Sequence, residues 1–205
     1  MTQFINDLTD SIVTGEIKKD IYNFRKMDRS KIDYYIDLGA NHGLVYNSLI
    51  QSGWTFKKAI LLEPLEHNYN ILKQNVPVTD AVFLNKMCFG SDDTPQQLSF
   101  TKSNSSGSTQ FAYYGGVGDK IPSATLKMLV DSHGIDPTKL LLKVDCEGAE
   151  KYLLAGENLE VAKQCPYITG EFHTGTKVFV EILHTHMKKT HSLSFKGLSF
   201  FIEPR

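Results

Sequence analysis

From residue 31 onward, short apolar runs alternate with stretches of helical spacing, and that alternation narrows the fold more than any other feature of the chain. Residues 31–38 (KIDYYIDL), 59–62, 81–88, 140–144 and 167–172 read as strands. Between them, Leu44, Val45 and Leu49 predict a helix over 42–51, stopped at Gly53. Pro64 opens a second helix carrying Leu65, Tyr69 and Leu72, and others are expected over 124–132, 147–154 and 178–188. A run of three- and four-residue spacings marks a helix face and a continuous apolar run marks a strand buried on both sides. Strand and helix taking turns in this way imply an open, mostly parallel sheet with helices on both faces, a Rossmann-like α/β fold. The end of the chain, HSLSF and LSFFI about Lys196-Gly197, reads as an antiparallel hairpin added at the sheet edge.

Two segments stand outside the alternation. Phe4, Ile5, Leu8, Ile12 and Val13 lie on one helical face, with Asp7, Asp10, Lys18 and Lys19 among polar neighbours, so 3–26 is expected to form one or two helices. Residues 92–122 are rich in Ser, Thr and Gly and read as irregular, with a short strand at Leu98-Ser99-Phe100. Neither segment looks like a linker. The expectation is one domain over 1–205, with 1–30 as an N-terminal helical extension.

Composition enters where partners and compartment are concerned. A net charge of -1 speaks against a nucleic-acid partner, which selects a basic face. The N-terminus lacks a basic start followed by an apolar stretch, and no apolar run approaches the roughly 18 residues that span a bilayer. Cys88, Cys146 and Cys165 form no CxxC pair, and an odd count fits a reducing cytoplasm; Cys88 and Cys146 also read as small buried residues. The expectation is a cytoplasmic chain with no membrane or nucleic-acid partner.

Chemistry concentrates at the strand ends. The first strand runs into Asp37-Leu38-Gly39-Ala40-Asn41-His42-Gly43, a turn at the carboxyl edge of the sheet, where open α/β folds bind ligands. Gly39 and Gly43 let a ligand approach the backbone, and Asn41 tolerates positive φ. A dinucleotide fingerprint started at Gly39 would place glycines at 41 and 44, where this chain has Asn41 and Leu44, so a nicotinamide site fits poorly. Glu63, at the tip of the second strand, is of the kind that accepts both hydroxyls of a ribose. Taken singly, Asp37 also reads as a helix cap and Glu63 as a surface acid before a proline.

At the fourth strand end, Lys143, Asp145 and Glu147 share a face while the strand lasts. Glu171 and His173 lie just beyond the fifth. Asp145 reads either as a proton acceptor or as the partner of a ligand ammonium. His173 reads either as a base or as a surface residue. Glu147 and Glu150 suit a helix N-terminus, and Lys143, inside an apolar strand, needs a partner that one of them can supply. His184, His186 and His191 read as solvated. No metal-ligand spacing is present, so no metal is expected. Residues 103–118, with Phe111, Tyr113 and Tyr114, read either as a lid or as a surface loop.

Three segments together resemble the FkbM-type methyltransferases: DLGANHG at 37–43, ILLEPLEHNYNILKQN at 60–75 and LLLKVDCEGAEKYLL at 140–154. The third is similar to the family's KxDxEGxE motif, and 166–172, ending near Glu171, to its fifth strand. The likeness covers roughly 33–173. It departs at Lys127, where an acid is usual after Thr-Leu, and at His42, where an apolar residue is usual. The resemblance implies a class I methyltransferase fold that binds S-adenosylmethionine and methylates a small hydroxylated acceptor such as a sugar or natural product. It implies a cofactor site of Asp37, Gly39, Ala40, Asn41, Gly43, Glu63, Pro64, Met87, Cys88 and Asp145, and catalytic residues among His173, Asp145 and Glu171. Two other readings remain: a non-catalytic module that keeps the cofactor fold, and a nicotinamide-dependent oxidoreductase.

Overall fold

The computed structural model describes residues 8–77, 81–88, 96–102, 109–112, 119–146, 149–154, 156–173 and 175–205. In chain order its helices are α1 (Leu8–Lys19), α2 (Leu44–Gln51), α3 (Glu66–Asn75), α4 (Leu126–His133), α5 (Gly156–Ala162) and α6 (Lys177–Met187). Its strands are β1 (Tyr34–Leu38), β2 (Lys58–Leu62), β3 (Ala81–Leu84), β4 (Met87–Cys88), β5 (Gln96–Lys102), β6 (Thr109–Ala112), β7 (Asp119–Ile121), β8 (Ser123–Ala124), β9 (Leu140–Val144), β10 (Tyr167–Glu171), β11 (His191–Lys196) and β12 (Ser199–Pro204).

The main sheet has 7 strands in the order β11-β12-β10-β9-β1-β2-β3. The five strands from β10 to β3 run parallel, and β12 and β11 close one edge as an antiparallel hairpin. This is the Rossmann-like arrangement that the alternation implies. Because side chains alternate across a strand, β1 splits its residues between two cores. Ile36 and Leu38 join Ile60, Leu142 and Ile168 under α4 and α6 residues such as Leu129 and Leu183. Tyr35 joins Ala59, Leu61 and Leu141 under Tyr46, Leu49, Trp54 and Phe56. Apolar area removed from water is worth about 25 cal/mol per Å², so a sheet covered on both faces carries most of the fold's stability. The parallel strands all end at one edge, and that edge carries the site.

Four expectations need correction. The third strand is not continuous over 81–88. It breaks after Leu84, where the Asn85 side chain donates to the carbonyls of Glu63 (2.9 Å) and Pro64 (3.0 Å), and Met87–Cys88 then pairs with Ser123–Ala124 instead of β2. The stretch 92–122 is not wholly irregular: its described parts form a 3-stranded antiparallel sheet, β6-β5-β7. At the N-terminus, Ile12 is exposed and Asp10 is buried, the reverse of the amphipathic pattern, because Asp10 pairs with His42. The helix expected from Glu147 is a 3-10 turn at Ala149–Leu154 followed by α5.

Candidate functional site

The turn after β1 is held from three directions. The N–H groups of Gly39 and Ala40 both donate to the Leu62 carbonyl, at 3.1 and 2.8 Å, which ties the turn to the end of β2. Gly39 (φ +87°), Asn41 (φ 48°) and Gly43 (φ +79°) take left-handed conformations. The glycines serve the fold in a way that differs from the expected ligand approach. A Cβ on Gly39 would lie 1.9 Å from the Asp145 carbonyl oxygen, and one on Gly43 would lie 2.5 Å from Val76 Cγ2. Gly39 thus lets the β1 and β9 loops cross, and Gly43 lets α2 start against α3.

Glu63 lies beneath this turn and is buried. Its Oε2 accepts from Asn41 N and its Oε1 from Leu65 N, both at 2.9 Å. Burial pushes its carboxyl up to about 7, against the pull of those two bonds and of His42. It is therefore no surface acid, and its first task is to hold the turn. Each oxygen still has a second lone pair for a ligand donor. Asn41 Oδ1 is buried with no hydrogen-bond partner, a group that a ligand donor would satisfy. His42, where the family usually has an apolar residue, is buried and meets Asp10 Oδ1 at 2.8 Å through Nδ1. Met87 and Cys88 are also buried; Cys88 joins the hydrophobic core, and burial pushes its thiol up to about 12.

Asp37 is fully buried, neither a helix cap nor open to a ligand. Its Oδ1 accepts from Lys143 Nζ at 2.8 Å and its Oδ2 from Tyr35 OH at 2.8 Å. Burial holds its carboxyl above the usual range despite both partners. Lys143 Nζ also donates to Gly39 O at 3.3 Å. The expected pairing of Lys143 with Glu147 or Glu150 is replaced by this one, because the β1–β9 register sets Asp37 beside Lys143 on the same face. Asp37 supports the turn from below through Lys143.

The other half of the site lies at the ends of β9 and β10. Asp145, Glu171 and His173 bring one ligand atom each within 4.8 Å of one another. Asp145 Oδ1 faces His173 Nε2 at 3.8 Å, with the two side chains 22% and 21% exposed. The far nitrogen of the imidazole, Nδ1, is held at 2.9 Å by Oε1 of buried Glu150. The far oxygen of Asp145 accepts from Tyr22 OH at 2.9 Å. Glu171 Oε1 accepts from Ser199 Oγ at 3.3 Å, and burial, then the charges of Asp145 and Glu16, push its carboxyl up to about 7. The trio has the donor types for a divalent cation. Lys143 Nζ, 3.8 Å from Asp145 Oδ2, already sets one positive charge alongside.

The structure brings Asp145, Glu171 and His173 together at the ends of β9 and β10, and sets Glu63 against the turn of Gly39, Ala40 and Asn41. Glu150 acts on His173 rather than on a helix end. His191 is buried and His184 Nε2 meets its carbonyl at 3.0 Å, so neither is the solvated residue expected, whereas His186 is exposed. Glu147, and Tyr113 and Tyr114 with the rest of 103–108 and 113–118, lie outside the described residues. Sequence reasoning missed Tyr22 and Tyr35. Tyr35 carried a signal, standing two residues before Asp37 on the same strand face; Tyr22 carried none.

The family model of the methyltransferase FkbM domain matches residues 37–196, from the end of β1 to the end of β11. The chain is similar in structure to a methyltransferase FkbM from Methylobacillus flagellatus KT, with a TM-score of 0.54 and 14% identity over 84% of this chain. It spans 43% of that protein's length. It is similar also to an rRNA methylase from Streptococcus thermophilus, with a TM-score of 0.53 and 9% identity over 98% of this chain and 99% of that one. At such identities the likeness shows the fold, the class I Rossmann-like methyltransferase arrangement. Among curated proteins none matches the chain in sequence.

Proposed function

The chain belongs to the FkbM methyltransferase family, and from that membership we propose that it transfers a methyl group from S-adenosylmethionine to a hydroxyl of a small acceptor, such as a sugar or natural product. The observation that carries this reading is a juxtaposition. A turn with a buried carboxylate and an unsatisfied acceptor adjoins, at one sheet edge, a partly exposed trio of proton-accepting groups. When bound, S-adenosylmethionine supplies an electrophilic methyl carbon on its sulfonium.

The residues of the chain divide the remaining work. The spare lone pairs of Glu63 suit two ribose hydroxyls, and Asn41 Oδ1 suits a further donor. Asp145, next to β1 in the strand order, offers a negative group for the ammonium of the amino-acid part. One strand further out, His173 is fixed through Nδ1 by Glu150, which leaves Nε2, 3.8 Å from Asp145 Oδ1, to take the proton of an acceptor hydroxyl. Glu171 adds a second carboxyl poised near neutrality. Holding acceptor and methyl donor in line supplies most of the rate in such a displacement, and a base adds roughly 10²–10⁴-fold. The proposal extends to a cytoplasmic chain, supported by three free cysteines; no described helix is long and apolar enough to cross a membrane.

Calorimetry with S-adenosylmethionine, S-adenosylhomocysteine and NAD is the first test, and mass-resolved turnover on parallel panels of hydroxylated and amine acceptors the second. The expected result is binding of the first two ligands and methylation of hydroxyls. Binding of NAD alone removes the cofactor assignment. Cofactor binding with no turnover on either panel makes the chain a binding module, and methylation of amines alone removes the O-methyl assignment.

A further inference from the structure

Tyr22 stands before residue 37, where the family match begins, yet it reaches the centre of the site. The segment that carries it is fastened at several points. Asp10 of α1 meets His42 at 2.8 Å, and Thr169 Oγ1 on β10 donates to the Tyr22 carbonyl at 2.8 Å. The ring of Tyr22 packs with Ile21 and Val45, and Lys143 Nζ lies 5.4 Å from its centroid. These contacts hold the backbone and the ring without the phenol oxygen. The oxygen has a separate partner, Asp145 Oδ2 at 2.9 Å.

That hydrogen bond decides which way Asp145 points. Lys143 is the obvious competitor for its carboxylate, but Lys143 donates to Asp37 Oδ1 at 2.8 Å and to Gly39 O at 3.3 Å, and stands 3.8 Å from Asp145 Oδ2. Tyr22 thus holds one oxygen of Asp145, Oδ2, and leaves the other, Oδ1, towards His173 Nε2 at 3.8 Å. Burial first, and the charge of Asp145 second, keep the phenol well above its usual range, so it stays a donor. Glu150 fixes the imidazole from the opposite side in the same way.

We infer that Tyr22 is a positioning residue for the methyl transfer proposed above: its hydroxyl aims Asp145 at His173, so the N-terminal segment completes a site that the family-matched stretch does not complete alone. The inference rests on that functional reading for its kinetic consequence, but its geometric content is independent of turnover.

Tyr22→Phe removes the oxygen and keeps the ring. The expected result is a loss in kcat of roughly 10- to 150-fold, the scale of one hydrogen bond to a charged group, with acceptor KM unchanged and cofactor affinity weakened by less than kcat falls, because Asp145 keeps its charge. A double-mutant cycle separates positioning from direct action: Tyr22→Phe added to Asp145→Asn should cost little further, since both act through one carboxylate. A full additional loss in that background, or an unchanged kcat in the single variant, overturns the inference. A readout free of turnover covers the case in which the functional reading itself fails. In ¹⁵N-histidine-labelled protein the ring resonances of His173, identified by their absence in His173→Gln, should move in Tyr22→Phe. Stationary resonances overturn the positioning role even if the wild type methylates hydroxyls; moving resonances in a chain that methylates nothing uphold it and remove only the reaction.

Discussion

On the β1–β2 side of the site, Asp37 and Glu63 are buried, and Glu63 is held by two backbone N–H groups. On the β9–β10 side, Asp145 and His173 are 22% and 21% exposed and are held by the side chains of Tyr22 and Glu150. The difference teaches a division of labour. Backbone donors cannot rotate away, so the first half is set before any ligand arrives and suits recognition. Side-chain partners can exchange protons and reorient, so the second half suits a step in which a proton moves.

The largest effect is expected where the halves touch. Gly39→Val puts a Cβ 1.9 Å from the Asp145 carbonyl oxygen in a backbone conformation with φ +87°. It should cost about 3 kcal/mol or more of stability and abolish cofactor binding, read by chemical denaturation and calorimetry. Retention of both properties would show that the two loops are not packed as rigidly as their contact implies.

His173→Gln probes the exposed half. Turnover should fall by roughly 10²–10⁴-fold while cofactor affinity holds, because the imidazole belongs to the acceptor side. A parallel fall in affinity would erase the proposed boundary between the halves.

Glu63→Gln is the mirror experiment: affinity should weaken by roughly 10–150-fold, while kcat at saturating cofactor stays near the wild-type value. The smallest expected effect is its pH signature. The free carboxyl titrates at about 7, and hydroxyl donors favour its ionised form. Cofactor binding should then tighten by about tenfold from pH 6 to pH 8, and the trend should vanish in Glu63→Gln. Stability carries the opposite sign. Between the ordinary 4.5 and about 7 the folded chain retains a proton on Glu63 that the unfolded chain has lost, so this group's contribution falls as pH rises through that window. A cofactor affinity flat across pH 6 to 8 in the parent protein would mean that binding does not shift the titration of Glu63, and that its carboxylate accepts no ribose hydroxyl.

Much of this organisation was legible in the chain itself. Residues 140–144 read as a strand because an apolar run interrupted only by Lys143 and buried on both faces permits little else, and the structure places β9 there. The hairpin at β11 and β12 was legible from its turn at Lys196-Gly197. The turn at 37–43 declared itself through glycines that need positive φ, although the reason for Gly39 turned out to be the Asp145 carbonyl. The break in the third strand was not legible, since it depends on Asn85 finding two carbonyls about twenty residues earlier in the chain.

What the sequence determined by itself is the order of strands and helices and the location of the ligand-facing turns, because apolar period and left-handed glycine positions are local properties of a few neighbouring residues. What only the tertiary structure decided is which charged groups meet. Asp37 and Lys143 are 106 residues apart, and Tyr22 and Asp145 are 123 apart. The first pairing follows from the register of β1 and β9 and the second from the docking of the N-terminal segment, and both are set by burying apolar surface. A buried charge then takes whatever partner that register sets within reach, since leaving it unpaired costs more than any local preference can offset.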